Sequence, residues 1–207
     1  MGNNRSKGRT KKSYMTYIFL GLLALVVIGD IIGAVLYLRQ GSEVREQLLQ
    51  YVGESARGSA SFFGILGAQM LYQLTIWGLG LSIIGNLANI GLVFMRGISA
   101  GFNLAFLFAT LGFGASLLWI LQYGLVLMAT VFSAYFSMRF AFLMIENLIF
   151  KRSMKLFKRH LKYYCSQLVI IVVMTLITAT VSYVVNPIIS DRLNNVSTES
   201  VAVYVME

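Results

Sequence analysis

The chain holds one cysteine, one histidine and only eight acidic residues among 207. Cys165 has no second thiol to pair with, so no internal disulfide supports the fold. It opens an apolar stretch beside Tyr163 and Tyr164, where a free thiol serves as a small apolar side chain. His160 lies in a basic run, which leaves no histidine-based metal site and no Ser/His pair. The acids Glu43, Glu46, Glu54, Asp191, Glu199 and Glu207 are scattered through a loop and a tail, with no framework to hold a carboxylate pair. Gly78-Leu79-Gly80 lacks the Lys-Ser/Thr of a phosphate-binding loop and has no strand before it. Enzymatic activity is therefore not expected, and no cofactor is implied. Also missing is a polar stretch long enough for a soluble domain. The longest are the tail Met1–Ser13, the loop Arg39–Ser59 and the tail Ser190–Glu207.

What remains is apolar. Hydrophobic residues make up 57% of the chain, concentrated in four blocks at Tyr14–Leu38, Ala60–Met95, Ile98–Met138 and Ser166–Ile189. A hydrocarbon core about 30 Å thick needs roughly 20 helical residues per crossing. The fold class is therefore all-α, a polytopic helical membrane protein. The block 60–95 would run about 54 Å as one helix, and it carries Gly78, Gly80, Gly85, Asn86, Asn89 and Gly91. It reads as one crossing with a break near Gly85-Asn86, followed by a turn at Arg96-Gly97. The next block is long enough to cross twice, hinged at Gly112-Phe113-Gly114. Five spans result, near 14–38, 60–95, 98–111, 115–138 and 166–189, the last closed by Asn186-Pro187. They form one membrane domain over 14–189, between a basic tail 1–13 and a tail 190–207.

The net charge of +9 would suggest nucleic acid in a soluble chain, but apolar spans leave no docking face for it. The charge instead sets orientation. With the N-terminus in the cytoplasm, thirteen of the seventeen Lys and Arg residues lie inside, and only Arg39, Arg45, Arg57 and Arg192 lie outside. That is the positive-inside pattern, and five crossings put the C-terminus outside the cytoplasm. The first apolar block is too long for a signal-peptide core. It runs into Tyr37-Leu38-Arg39 rather than a small-residue cleavage site, so it reads as an uncleaved anchor. Met1-Gly2-Asn3-Asn4-Arg5-Ser6 matches the short myristoylation pattern, which is read as chance in a chain that already spans the membrane.

Four groups of residues stand out within this plan. Over 140–164, Asn147, Lys151, Lys155, Lys158 and Lys162 recur at helical spacing opposite Phe142, Ile145, Ile149, Met154, Phe157, Leu161 and Tyr164. This pattern predicts a basic amphipathic helix on the inner leaflet, a topology anchor held by membrane lipid or a contact for a cytoplasmic partner. Gly29-x-x-x-Gly33 and Gly97-x-x-x-Gly101, followed by Ala105 and Ala109, are small-residue patterns that let helices pack closely. They mark helix packing first, and a homo-oligomer face second. Asp30 is a carboxylate in an apolar helix, where ionisable groups are costly and face a partner or water. At about residue 17 of its span it falls near the outer headgroups, with proton coupling the alternative. Asn86, Asn89 and Asn103 are read as interhelical hydrogen-bonding residues, or else as the lining of a polar path.

Three stretches carry a resemblance. They are Ile28-Gly29-Asp30-Ile31-Ile32-Gly33-Ala34, Ile76-Trp77-Gly78-Leu79-Gly80-Leu81-Ser82-Ile83-Ile84-Gly85, and Val93-Phe94-Met95-Arg96-Gly97-Ile98-Ser99-Ala100-Gly101-Phe102. With the five-span layout, they resemble the stage II sporulation protein M family over nearly the whole chain. The resemblance implies a bacterial integral membrane protein, multi-pass in the cell membrane. It implies a non-enzymatic scaffold that holds cell-wall-degrading partners, such as a wall hydrolase. Relatives in circular bacteriocin systems imply an alternative, a membrane subunit of a peptide maturation and export machine driven by a separate ABC-type ATPase. Family members commonly carry a proline followed by polar residues early in the fourth span. Here Trp119-Ile120-Leu121-Gln122-Tyr123-Gly124 has none, so the resemblance implies the fold more than the namesake's role.

Overall fold

A chain with so few polar side chains must pair its backbone internally wherever it meets hydrocarbon, and helices do this within one segment. The computed structural model describes the backbone of residues 4–41, 44, 47–48, 61–82, 84–149 and 154–205. Side chains are described for 15–41, 44, 47–48, 61–82, 84–114, 116–145 and 158–193. Every element in the described residues longer than a turn is helical. Helix α1 is Asn4–Leu38 and α2 is Phe62–Leu79. A helical run Gly85–Ile149 doubles back at Gly112, giving α3, Gly85–Gly114, and α4, Ser116–Ile145. Helix α5 is Met154–Val205. Five helices are long and apolar enough to cross a membrane, through Met15–Leu38 of α1, Lys158–Leu193 of α5, and α2, α3 and α4 themselves. The chain is a multi-pass membrane protein.

The helices alternate in direction. Tyr72 and Ile76 of α2 meet Leu92 and Asn89 of α3 in reverse order. Asn89 and Arg96 of α3 meet Ser137 and Tyr123 of α4, again reversed. Phe62 and Trp77 of α2 face Tyr183 and Tyr164 of α5. By contrast α1 runs parallel to α3, with Gly29 beside Phe94 and Gly33 beside Ile98 and Phe102. Two apolar clusters fill the interior. One joins Leu22 and Val26, Ile76, Val93, and Val131, Ala134 and Met138. The other joins Tyr37, Phe106 and Leu107, and Ile189 and Leu193. The outer surface is apolar too, as at Phe63 and Ile84, each 79% exposed. That surface suits lipid tails and not water.

The ends of the helices explain where the chain turns. Ser61 caps α2, its hydroxyl accepting from the Gly64 amide at 3.1 Å, as N-cap serines do. Gly112 has φ 72° and ψ −167°, a conformation open essentially to glycine alone. The Ser116 hydroxyl then donates to the Gly112 carbonyl at 2.7 Å and closes the bend.

Some boundaries differ from the sequence reading. The turn expected at Arg96-Gly97 lies instead between Leu79 and Gly85, and both Arg96 and Gly97 are inside α3. A charge suggested a loop, but tertiary packing encloses it. The second crossing is accordingly 62–79 rather than 60–95, and the third is 85–114 rather than 98–111. Of the stretch 140–164, residues 140–149 are helical at the end of the run Gly85–Ile149 and 154–164 are helical at the start of α5, while 150–153 lie outside the described residues. Finally, α5 continues through Pro187, as membrane helices can when neighbours satisfy freed backbone groups.

Candidate functional site

Glycine placement decides how closely α1 and α3 approach. A Cβ on Gly101 would fall on the carbonyl oxygen of Asp30, and one on Gly33 on that of Ile98. At Gly29 it would lie 2.8 Å from the Phe94 oxygen, and at Gly97 2.7 Å from the Val26 oxygen. The structure thus brings Gly29, Gly33, Gly97 and Gly101 together at one parallel crossing, backbone against backbone. In lipid no hydrophobic force drives helices together, so dispersion and weak Cα–H···O contacts at this range carry the association.

A polar hub forms where α2 ends. The last four carbonyls of a helix lack intrahelical partners, and inside a bilayer each unsatisfied one is costly. Here all four are met. Asn89 Nδ2 donates to the Ile76 carbonyl at 3.1 Å. The Trp77 carbonyl accepts from the Gly80 amide at 3.0 Å and from the Tyr164 hydroxyl at 2.5 Å. The Gly78 and Leu79 carbonyls accept from the Leu81 and Ser82 amides, each at 3.1 Å. Asn89 also donates to Ser137 Oγ at 2.6 Å, tying α4 to the same point. The Tyr164 ring lies between Trp77, at 4.9 Å and 6°, and Phe140, at 4.2 Å and 11°. Gly80 and Gly85 make the turn possible. A Cβ on Gly80 would strike Ser137 and Tyr164, and one on Gly85 the Leu79 backbone.

Further polar pairs staple the helices along their length. Gln69 donates to Ser182 at 3.1 Å and accepts from Thr178 at 2.8 Å, joining α2 to α5. Gln73 donates to Thr130 of α4 at 3.3 Å. Gln122 of α4 donates to Asn186 of α5 at 2.9 Å.

The ionisable residues behave differently. The Arg96 guanidinium lies over the rings of Tyr72, at 4.8 Å, and Tyr123, at 5.4 Å, a cation–π clamp suited to a charge away from water. Tyr72 is fixed by donating to the Leu92 carbonyl at 2.9 Å, and Tyr123 by stacking on Trp119 at 4.4 Å. Asp30 sits beside Gly101, near the middle of α3. Asp30 Oδ1 and Arg96 Nε are both buried without a hydrogen-bond partner. With Ile31, Ala34, Gly101, Leu104, Ala105 and Phe108, Asp30 lines a groove of about 370 Å³ between α1 and α3.

The three asparagines do not converge. Asn89 is fully buried in the hub, Asn86 bonds back to the Ser82 carbonyl at 3.3 Å, and Asn103 is exposed on the outside of α3. Lys158 and Lys162 are exposed, while the side chains of Lys151 and Lys155 lie outside the described residues. So do Met1–Asn3, most of the 39–59 loop, and the tail side chains beyond Leu193. Cys165 is exposed. Among the described residues no three His, Cys, Asp or Glu side chains group in a way that could hold a metal ion. Sequence reasoning missed Gln69, Gln73, Tyr72 and Tyr123. Their signal was present: each is a polar-tipped side chain inside an apolar span, where such groups mark helix contacts.

The family model described as Stage II sporulation protein M matches residues 19–183, from the first span into the last. No curated protein and no solved structure matches the chain.

Proposed function

We propose that this chain, which belongs to the stage II sporulation protein M family, is a non-enzymatic scaffold subunit of a bacterial membrane complex that assembles cell-wall-remodelling partners. Family membership supports a sporulation-related membrane protein; the scaffold role is our reading. The observation that carries it is the use made of the buried polar side chains. Gln69, Gln73, Asn89, Gln122 and Tyr164 each bond to a neighbouring helix instead of pointing into a shared cavity. Such an interior holds a shape and offers its outer faces to others.

The orientation belongs to the same proposal. Alternating helices set the N-terminus, the Leu79–Gly85 turn, Arg139 and the lysines at the start of α5 at one end, which the positive-inside rule assigns to the cytoplasm. Moving Arg96 into a span removes one inner charge and leaves the asymmetry intact. Alkaline phosphatase fused after Glu207 should be active and a fusion at the N-terminus inactive; the reverse pattern would overturn the orientation. The function is tested by purifying the tagged protein from its own host in mild detergent. Recovery of a membrane-anchored wall hydrolase is the expected result. Recovery of an ATPase or a small hydrophobic peptide in its place would replace the scaffold with a subunit of peptide maturation and export.

A further inference from the structure

The last span is longer than a bilayer needs. Lys158–Leu193 of α5 is 36 residues, about 54 Å as a helix against a hydrocarbon core of about 30 Å. The excess falls where the helix is basic, which sets its first turns among headgroups. Lys158, Arg159 and Lys162 are exposed there, at spacings of three and four residues where like charges on a helix repel. Arg139 of α4 joins them, its guanidinium 5.9 Å over the ring of Tyr163. Among the described side chains the only acids are Asp30, at the α1–α3 crossing, and Asp191, near the far end of α5. Neither offsets this charge. The same face of α5 then continues into hydrocarbon. Arg159, Tyr163, Ile170 and Ile177 follow at spacings of four and seven residues, which is one stripe of a helix. Tyr163, Ile170 and Ile177 are 57%, 50% and 53% exposed.

We propose that Arg139 and this stripe of α5 form a binding site for an anionic phospholipid, its phosphate at the arginines and an acyl chain along Tyr163, Ile170 and Ile177. The inference goes beyond the scaffold reading and holds whichever role the chain serves. Charge complementarity selects the headgroup. Arg139 approaches the Tyr163 ring from α4, and Arg159 lies one turn before that ring on α5. Guanidinium forks donate paired, charge-assisted hydrogen bonds to phosphate oxygens, and a tyrosine suits the boundary between headgroup and chain. An anion here also relieves the repulsion among Lys158, Arg159 and Lys162. A zwitterionic lipid is the weaker ligand, because its ammonium cancels the phosphate charge that the basic cluster attracts. An acidic soluble protein would meet the cations but not the apolar stripe that runs on from them; a lipid matches both, in that order. A second copy of this chain is a poor occupant, because a two-fold interface sets the same patch against itself and would bring cations against cations.

The test uses the full chain in vesicles of phosphatidylethanolamine with a minor share of phosphatidylglycerol. The photo-reactive residue p-benzoylphenylalanine is placed at Ile170 or, as a control, at the exposed Leu71 of α2, and mass spectrometry reads the headgroup of each crosslinked lipid. Phosphatidylglycerol should exceed its share of the bilayer about tenfold at Ile170, and should match its share at Leu71. Arg139→Gln and Arg159→Gln should each lower the enrichment about fivefold, the worth of one basic residue near an anionic surface. Arg39→Gln, at an exposed arginine on the other end of the bundle, should leave it unchanged. Arg159 is exposed, so its variant carries the test alone if Arg139→Gln fails to fold. Phosphatidylglycerol at its bulk share at Ile170, or enrichment that survives both arginine variants, would overturn the proposal. Loss of enrichment to inorganic phosphate at constant ionic strength would replace the lipid with a free anion. An adduct of twice the 23.0 kDa chain mass would replace it with a second copy, and a protein adduct at Ile170 in host membranes, with no lipid adduct, with a protein partner. Copurification of a wall hydrolase bears on the scaffold reading alone, so either can fail without the other.

Discussion

Tyr164 allows the hub to be dissected in two steps. Its side chain is 1% exposed and contributes two separable things, a hydroxyl bond to the Trp77 carbonyl at 2.5 Å and stacking on Trp77 and Phe140. Tyr164→Phe removes only the first. The Trp77 carbonyl keeps the Gly80 amide as a partner, so no orphan is left. The hydroxyl is also hydrogen-bonded with the Ser137 side chain, so the cost should be that of two interhelical hydrogen bonds, about 1–2 kcal/mol. Tyr164→Ala removes the stacks as well. In a lipid or detergent environment the unfolded side chain is also in apolar surroundings, so the transfer part of the usual large-to-small penalty falls away. What remains is two ring contacts at about 0.5–1.5 kcal/mol each plus the hydrogen bonds, or about 2–5 kcal/mol in all. Equilibrium unfolding in mixed micelles, titrated with sodium dodecyl sulfate and followed by tryptophan fluorescence, reads both variants against the parent. If Phe costs as much as Ala, the rings do not matter. If Ala costs less than about 1 kcal/mol, within the reach of a surface change, Tyr164 is not part of a structural hub and the account of the α2 terminus is wrong.

Other expectations follow from the same geometry. Gly101→Ala should force α1 and α3 apart and cost about 1–3 kcal/mol, as overpacking does. Gly91→Ala, where a Cβ meets nothing within 4 Å, should stay within about 0.5 kcal/mol. Equal effects in the same unfolding assay would remove the backbone-to-backbone crossing. Gly112→Ala should cost about 1–3 kcal/mol for its backbone conformation alone, although a Cβ there meets nothing; a neutral result would mean that the bend is not held at Gly112. Asn89→Leu should destabilise by leaving the Ile76 carbonyl without its donor, and a double-mutant cycle with Ser137→Ala should show a coupling of about 0.5–1.5 kcal/mol. Additive effects would show that the 2.6 Å contact carries no energy.

These predictions fall on residues that sequence reasoning weighed very unequally. Tyr164 was visible only as one apolar-face residue of an amphipathic segment, because nothing local says that its hydroxyl meets a carbonyl 87 positions earlier. Gly29, Gly33, Gly97 and Gly101 were conspicuous by spacing, but which helix each pair would face was not. Arg96 pointed the wrong way. A charge beside glycine reads as a turn, whereas the tyrosines that shelter it come from two other helices.

By itself the sequence determined that this protein is a helical, multi-pass membrane protein with five apolar segments long enough to cross. Runs of apolar residues that length can satisfy their backbone in lipid only as helices, and that constraint is local. Tertiary structure alone decided where the chain turns at Leu79–Gly85, which polar side chains close the helix ends, and that Asp30 lies beside Gly101 with Oδ1 unpartnered. Those outcomes depend on what another helix brings to the same depth, and no spacing within a single helix records it.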